Sequence, residues 1–122
     1  MARILIVDDE REVRDVLSQF FTRKNYEILT AESGEEALAT LDQEQVDAVL
    51  LDIRMEGMDG LETLRRIRRK WHGLPVVMVS GQDDEDLAKE TLEEGAFDYV
   101  LKPIKLEYLE RTLYLKLAEK LP

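Results

Sequence analysis

The chain has 122 residues, 44% apolar and 36% charged, long enough for one domain with a real core. Its net charge of −10 disfavours a general nucleic-acid binder, which needs basic surface to displace phosphate counterions. There is no cysteine, which excludes disulfides and thiolate metal sites and suits a reducing compartment.

In chain order, the first strand is predicted over Ile4–Val7, and it runs straight into Asp8, Asp9 and Glu10. No apolar run is longer than these four residues, far short of a membrane span, and no signal peptide precedes them. The cytoplasm is therefore the expected location, with no membrane partner. Val13, Val16, Leu17, Phe20 and Phe21 follow helical spacing as one apolar stripe, and Asn25 is suited to end that helix in a left-handed conformation. The next strand, Tyr26–Thr30, is mixed in character and suits a sheet edge. Ser33 and Glu36 form a capping box for a helix carrying Ala37, Leu38 and Leu41.

The third strand is predicted over Val46–Leu51 and delivers Asp52. Asp59 and Glu62 open a helix marked by Leu61, Leu64, Ile67 and Trp71, with Gly73 as its stop. Its tail, "RRIRRK" at residues 65–70, suits the negative end of a helix dipole better than a nucleic-acid contact. His72, the sole histidine, reads as a surface loop residue. A fourth strand, Val76–Val79, delivers Ser80 and Gly81. "DDED" at residues 83–86 lacks the spacing and glycine of a calcium loop, and acids at a helix N-terminus explain it more simply. That helix carries Leu87, Ala88, Thr91 and Leu92 and stops at Gly95. The fifth strand, Asp98–Leu101, delivers Lys102, and Leu106, Leu109, Leu113 and Leu117 mark the fifth helix. Tyr108 and Leu115 lie off that stripe and are expected to be exposed.

Five strand–helix repeats imply an α/β fold, a doubly wound parallel sheet with helices on both faces. In such sheets ligands bind beyond the carboxyl ends of the strands, where the strand order reverses. With strand order 1-2-3, Asp8 and Asp9 would stand roughly 10 Å from Asp52; with order 2-1-3 the separation is about 5 Å. Two carboxylates about 4 Å apart repel by about 4 kcal/mol at an effective dielectric near 20. Either one of them holds a proton or a cation is present. Hard oxygen donors with no histidine or cysteine favour Mg²⁺, with Mn²⁺ as the alternative. Ser80 would add a hydroxyl, Gly81 an accessible amide and Lys102 a point cation, a set suited to a transferring phosphoryl group.

The blocks "ILIVDDE", "VLLDIRM..MDG", "VSG" and "GAFDYVLKPI" resemble the response-regulator receiver domain of two-component signalling, along the whole chain. The resemblance implies a flavodoxin-like (βα)5 fold of order 2-1-3-4-5, with residues 1–122 as one receiver domain. It implies Asp52 as phosphoacceptor, and Mg²⁺ held by Asp9, Asp52 and the Arg54 backbone carbonyl, with Asp8 acting mainly through a metal-bound water. It also implies phosphoryl binding by Ser80 and Lys102, a cis Lys102–Pro103 bond, and a switch made by Ser80 and Tyr99. Arg54 and Gln82 occupy positions that tune phosphate hydrolysis in the family. Glu56 departs from the pattern, standing where the family usually has proline.

The partners implied are a histidine kinase or phosphohistidine relay protein and an output domain or protein of unknown kind. A homodimer through the fourth helix, fifth strand and fifth helix is a further option. On this reading the chain is no enzyme beyond its own phosphorylation and dephosphorylation. Two rivals stand beside it. One is a receiver-like interaction module that is never phosphorylated. The other is an aspartate-nucleophile phosphatase of the haloacid dehalogenase type, which would need a second Asp where Arg54 stands.

Overall fold

A computed structural model describes residues 2–119. The elements alternate in the order β1 (Arg3–Val7), α1 (Arg11–Arg23), β2 (Glu27–Ala31), α2 (Gly34–Gln43), β3 (Ala48–Asp52), α3 (Gly60–Lys70), β4 (Val76–Ser80), α4 (Glu85–Glu93), β5 (Asp98–Leu101) and α5 (Leu106–Ala118). All strand pairs are parallel, and the sheet order is β2-β1-β3-β4-β5. The fold is therefore the doubly wound, flavodoxin-like one expected, and β1 and β3 are neighbours, with Val7 opposite Leu51.

Alternation along the strands builds two cores. Ile4, Ile6, Ala48, Leu50 and Val77 face Leu17 and Phe21 of α1 and Leu109 and Leu113 of α5. Leu5, Val7, Val49, Leu51 and Met78 face the other way, onto Ala37 and Leu41 of α2 and Leu64 and Ile67 of α3. Strands covered on both sides are apolar along their middles, which is why residues 4–7, 48–51 and 76–79 read as unbroken apolar runs. β2 lies on an edge and is only partly buried, as its mixed sequence predicts.

Several local expectations need correction. β2 and β3 begin and end later than predicted, at Glu27–Ala31 and Ala48–Asp52, because pairing with β1 sets their register rather than local polarity. Val16 and Leu92 keep helical phase but are exposed at 55% and 46%, lying on the margins of stripes that only Leu17, Phe21 and Thr91 carry into the interior. Asn25 and Gly95 do take positive φ, 70° and 103°, whereas Gly73 does not; Trp71 caps α3 instead. Tyr108 and Leu115 are exposed, as expected.

The starts of α2, α3 and α4 follow capping side chains, whereas α1 and α5 begin without a side-chain cap bond. Ser33, Asp59 and Asp84 accept from the backbone N–H of Glu36, Glu62 and Leu87. The Glu62 carboxylate turns to Arg66 rather than back to its own cap. The acids of residues 83–86 thus open α4. Asp84→Ala is expected to cost about 1 kcal/mol, readable as a lowered urea midpoint at unchanged slope; an unchanged midpoint would contradict the capping role.

The basic end of α3 is spent within the fold. Arg65 pairs with Glu90 of α4 and with Glu94 that caps it, Lys70 with Asp42 of α2, and Arg68 donates to the carbonyls of His72 and Leu74. His72 is exposed in that turn.

Candidate functional site

The strand order brings the carboxyl ends of β1, β3, β4 and β5 into one cleft rim. Asp8 follows β1 directly and is only 2% exposed. Its surroundings fix it on every side: its N–H donates to the Ala31 carbonyl at 3.1 Å, and its own carbonyl accepts from Arg14 at 2.7 Å. Its carboxylate accepts from the Glu10 N–H at 2.9 Å and from the Lys102 ammonium at 3.2 Å. Arg14, one turn into α1, had no role in the sequence reading. Its reach to the Asp8 carbonyl became visible only once the phase of α1 against β1 was set.

Asp52, the last residue of β3, is 4% exposed. Its Oδ1 accepts from the Arg54 N–H at 3.4 Å and lies 3.7 Å from the Lys102 Nζ. Burial, and then the charge of Asp8, push its pKa up to about 6, against the opposing pull of Lys102 and the Arg54 N–H. Lys102 is joined to Pro103 by a cis peptide bond, as the resemblance implied. Burial acts to lower its pKa, but Asp52, Asp8 and Glu10 together hold it above the usual lysine value.

Asp9 and Glu10 are exposed at the rim. Carboxylate oxygens of Asp8, Asp9 and Glu10 lie within 4.8 Å of one another, close enough for a shared cation. Glu10 adds a carboxylate that the expected set of Asp8, Asp9, Asp52 and the Arg54 carbonyl did not include, while Asp52 feels the charges of Asp8 and Asp9 and lies 3.7 Å from the Lys102 Nζ. The sequence offered the signal for Glu10, since it completes the acidic run. The donor set suits Mg²⁺: the oxygens are all hard, two of the acids are open to water, and one ammonium faces Asp8, Glu10 and Asp52 together. Negative charge is left over for a divalent ion to balance.

Ser80 ends β4 fully buried, beside β3, and its Oγ accepts from the Gln82 N–H at 3.0 Å. Gly81 is exposed, with open space where a Cβ would stand. Tyr99 of β5 is half-buried and donates its hydroxyl to the Gln82 carbonyl at 2.9 Å. The Arg54 guanidinium donates to the Gln82 side-chain oxygen at 2.8 Å. Glu56 is exposed in the loop between β3 and α3. That loop is closed by Gly60, whose N–H donates to the Ile53 carbonyl at 3.0 Å.

Beside Lys102 runs a mostly apolar groove of about 380 Å³, lined by Val13, Val16 and Leu17 of α1 and by Pro103, Ile104 and Leu106. A larger depression of about 490 Å³ around Trp71 and Glu44 opens near the amino ends of β3 and β4, away from all of these groups. Among the described residues no helix is long and apolar enough to cross a membrane.

A family profile described as "Response regulator receiver domain" matches residues 4–114. Regulatory protein AtoC of Escherichia coli (strain K12) is 40% identical over 122 residues, which cover 97% of this chain and 26% of that protein. Transcriptional regulatory protein ResD of Bacillus subtilis (strain 168) is 40% identical over 101 residues, 83% of this chain and 42% of that protein. The chain thus spans less than half the length of these curated relatives. Among solved structures, a CheY-like receiver domain protein from Methanospirillum hungatei JF-1 superposes with a TM-score of 0.93 at 31% identity, covering 98% of this chain and 95% of that one. The receiver domain of NtrX from Brucella abortus superposes with a TM-score of 0.89 at 34% identity, covering 94% and 98%.

Proposed function

The chain belongs to the response regulator receiver domain family, and from that premise we propose that it is a switch whose phosphoacceptor is Asp52. The observation that carries this is the meeting of Asp52 and Asp8, both buried, at one ammonium from Lys102. A buried acid pair sharing a single lysine is costly for stability alone, and makes sense where an anion is to be received.

In the proposed reaction a carboxylate oxygen of Asp52 attacks the phosphorus of a phosphohistidine. The P–O bond forms as the P–N bond breaks, and the imidazole leaves with a proton from solvent. Lys102 turns its ammonium to the arriving oxygens, the Ser80 hydroxyl donates to one of them, and the Gly81 N–H offers another donor. Asp8, Asp9 and Asp52 with the Arg54 carbonyl would hold Mg²⁺, Glu10 adding a carboxylate at the rim. When bound, the cation supplies positive charge that lets anionic donor and anionic site approach.

The groove along α1 beside Lys102 offers apolar surface for the phosphodonor, a histidine kinase or a relay protein. The output, the cytoplasmic location and the reading of residues 1–122 as one receiver unit belong to the same proposal. So does the absence of turnover on any external substrate. The added charge at Asp52 would then shift Ser80, Tyr99 and the face formed by α4, β5 and α5 between pre-existing conformations.

Incubation with acetyl phosphate and Mg²⁺, read by intact mass, is the test. One added phosphoryl group is expected, absent without the metal and absent in Asp52→Asn. An unmodified wild-type mass would favour a receiver-like interaction module. Steady release of phosphate from a phosphomonoester would favour a phosphatase, against which Arg54 stands where that class needs its second Asp.

A further inference from the structure

Gln82 donates one hydrogen bond and accepts two, with partners in three different parts of the site. Its N–H donates to the Oγ of Ser80, its carbonyl accepts from the Tyr99 hydroxyl, and its side-chain oxygen accepts from Arg54. The N–H and the carbonyl belong to the two peptide planes that flank one Cα. Each plane is rigid, so only the φ and ψ angles of Gln82 lie between the Ser80 hydroxyl and the Tyr99 ring. Arg54 restrains the side chain on that same Cα, and its own backbone N–H donates to Asp52.

We propose that Gln82 is a positioning residue, the joint through which the Asp52 loop sets the position of Tyr99, with the Arg54 guanidinium holding the joint at rest. The inference rests on the reading of Asp52 as phosphoacceptor for its biological purpose, while the joint itself is a property of the unmodified chain. A phosphoryl group on Asp52 places anionic oxygens near Arg54, which prefers a charged bidentate acceptor to a neutral amide. Arg54 then leaves Gln82, the φ and ψ of Gln82 relax, and the acceptor of the Tyr99 hydroxyl moves. Tyr99 thus answers to two inputs that converge on one residue: Ser80 through the N–H, and Arg54 through the side chain.

The experiment labels the tyrosines with 3-fluorotyrosine and follows the Tyr99 fluorine resonance, assigned by Tyr99→Phe among the four tyrosines. In unmodified protein, Gln82→Ala and Arg54→Ala are each expected to move that resonance by more than a linewidth in the same direction. The double variant should move it no further than either single one, because both remove the same bond. Arg54→Lys and Gln82→Glu, which keep a donor and an acceptor in place, should return it toward the wild-type position. The Tyr26 resonance serves as the structural control and should stay fixed, with the melting temperature unchanged within a degree or so. A Tyr99 resonance unmoved by both alanine variants overturns the joint, as do single effects that add in the double variant or a Tyr26 resonance that moves with Tyr99. A separate arm adds beryllofluoride and Mg²⁺ to wild type. Failure of that arm to move Tyr99 removes the switch from Asp52 to Tyr99, the acceptor itself being decided by the mass measurement, and the variant arms still decide the joint.

Discussion

Asp52→Asn is expected to make the metal-free protein more stable at pH 8 by about 2–3 kcal/mol, the worth of a carboxyl pKa moved from 3.8 to about 6. The cause is burial first and the charge of Asp8 second, both acting on an ionised group that asparagine replaces with a neutral one of nearly the same shape. The direction with pH follows from proton linkage. The folded protein binds this proton more tightly than the unfolded chain, so protonation favours the fold. That stabilisation is complete below about pH 4 and is lost as pH rises through about 6. The advantage of Asp52→Asn should therefore be full at pH 8, shrink through pH 6 and be nearly gone at pH 4. Urea titrations of both proteins in chelator across that range measure it, and a difference independent of pH, or a less stable variant at pH 8, would overturn the account. Added Mg²⁺ should narrow the gap at pH 8 by stabilising wild type more than the variant. A loss of stability from the ionised Asp52 carboxylate is the cost that the proposed acceptor role would carry.

Gly60→Ala is expected to cost about 3 kcal/mol and to slow phosphoryl uptake at Asp52 together with it. An ideal Cβ on Gly60 would stand 2.3 Å from the Asp52 carbonyl oxygen and 2.6 Å from the Ile53 Cα. Both obstacles are backbone, so neither can swing aside as the end of a long side chain could. The strand end carrying Asp52 must shift, or the start of α3 must lift and strain the bond from the Gly60 N–H to Ile53. Gly73→Ala is the comparison, since a Cβ there meets open space and φ is not positive; it should stay within about 0.5 kcal/mol of wild type. Equal stability of the two variants would show that the loop after β3 yields where the geometry says it cannot. Uptake of phosphoryl from acetyl phosphate, followed by intact mass below the unfolding transition of Gly60→Ala, reads the second effect.

Four of the residues that meet at the site were visible in the sequence as strand-end residues. Asp8, Asp52, Ser80 and Lys102 each follow or end an apolar run, and for the first three, on strands covered on both faces, the end is the place left for a polar group. The starts of α2, α3 and α4 were equally legible, since Ser33, Asp59 and Asp84 act on N–H groups only three residues away. These are short-range relations, and the chain contains everything they need.

What lay beyond the sequence alone was each relation between segments far apart in the chain. Spacing left orders 1-2-3 and 2-1-3 both open, and only the pairing of β1 with β3 brought Asp8 beside Asp52. The exposure of Val16 and the role of Arg14 depend on how α1 lies against its neighbours, which its own stripe does not define. One ammonium faces Asp8, Glu10 and Asp52 together because a lysine 94 residues from Asp8 reaches into the same cleft. Local sequence determined which groups the chain could offer, because capping and periodicity act within a few residues. Tertiary structure decided which of them meet, because distance and burial in a folded chain are set by packing that no single segment contains.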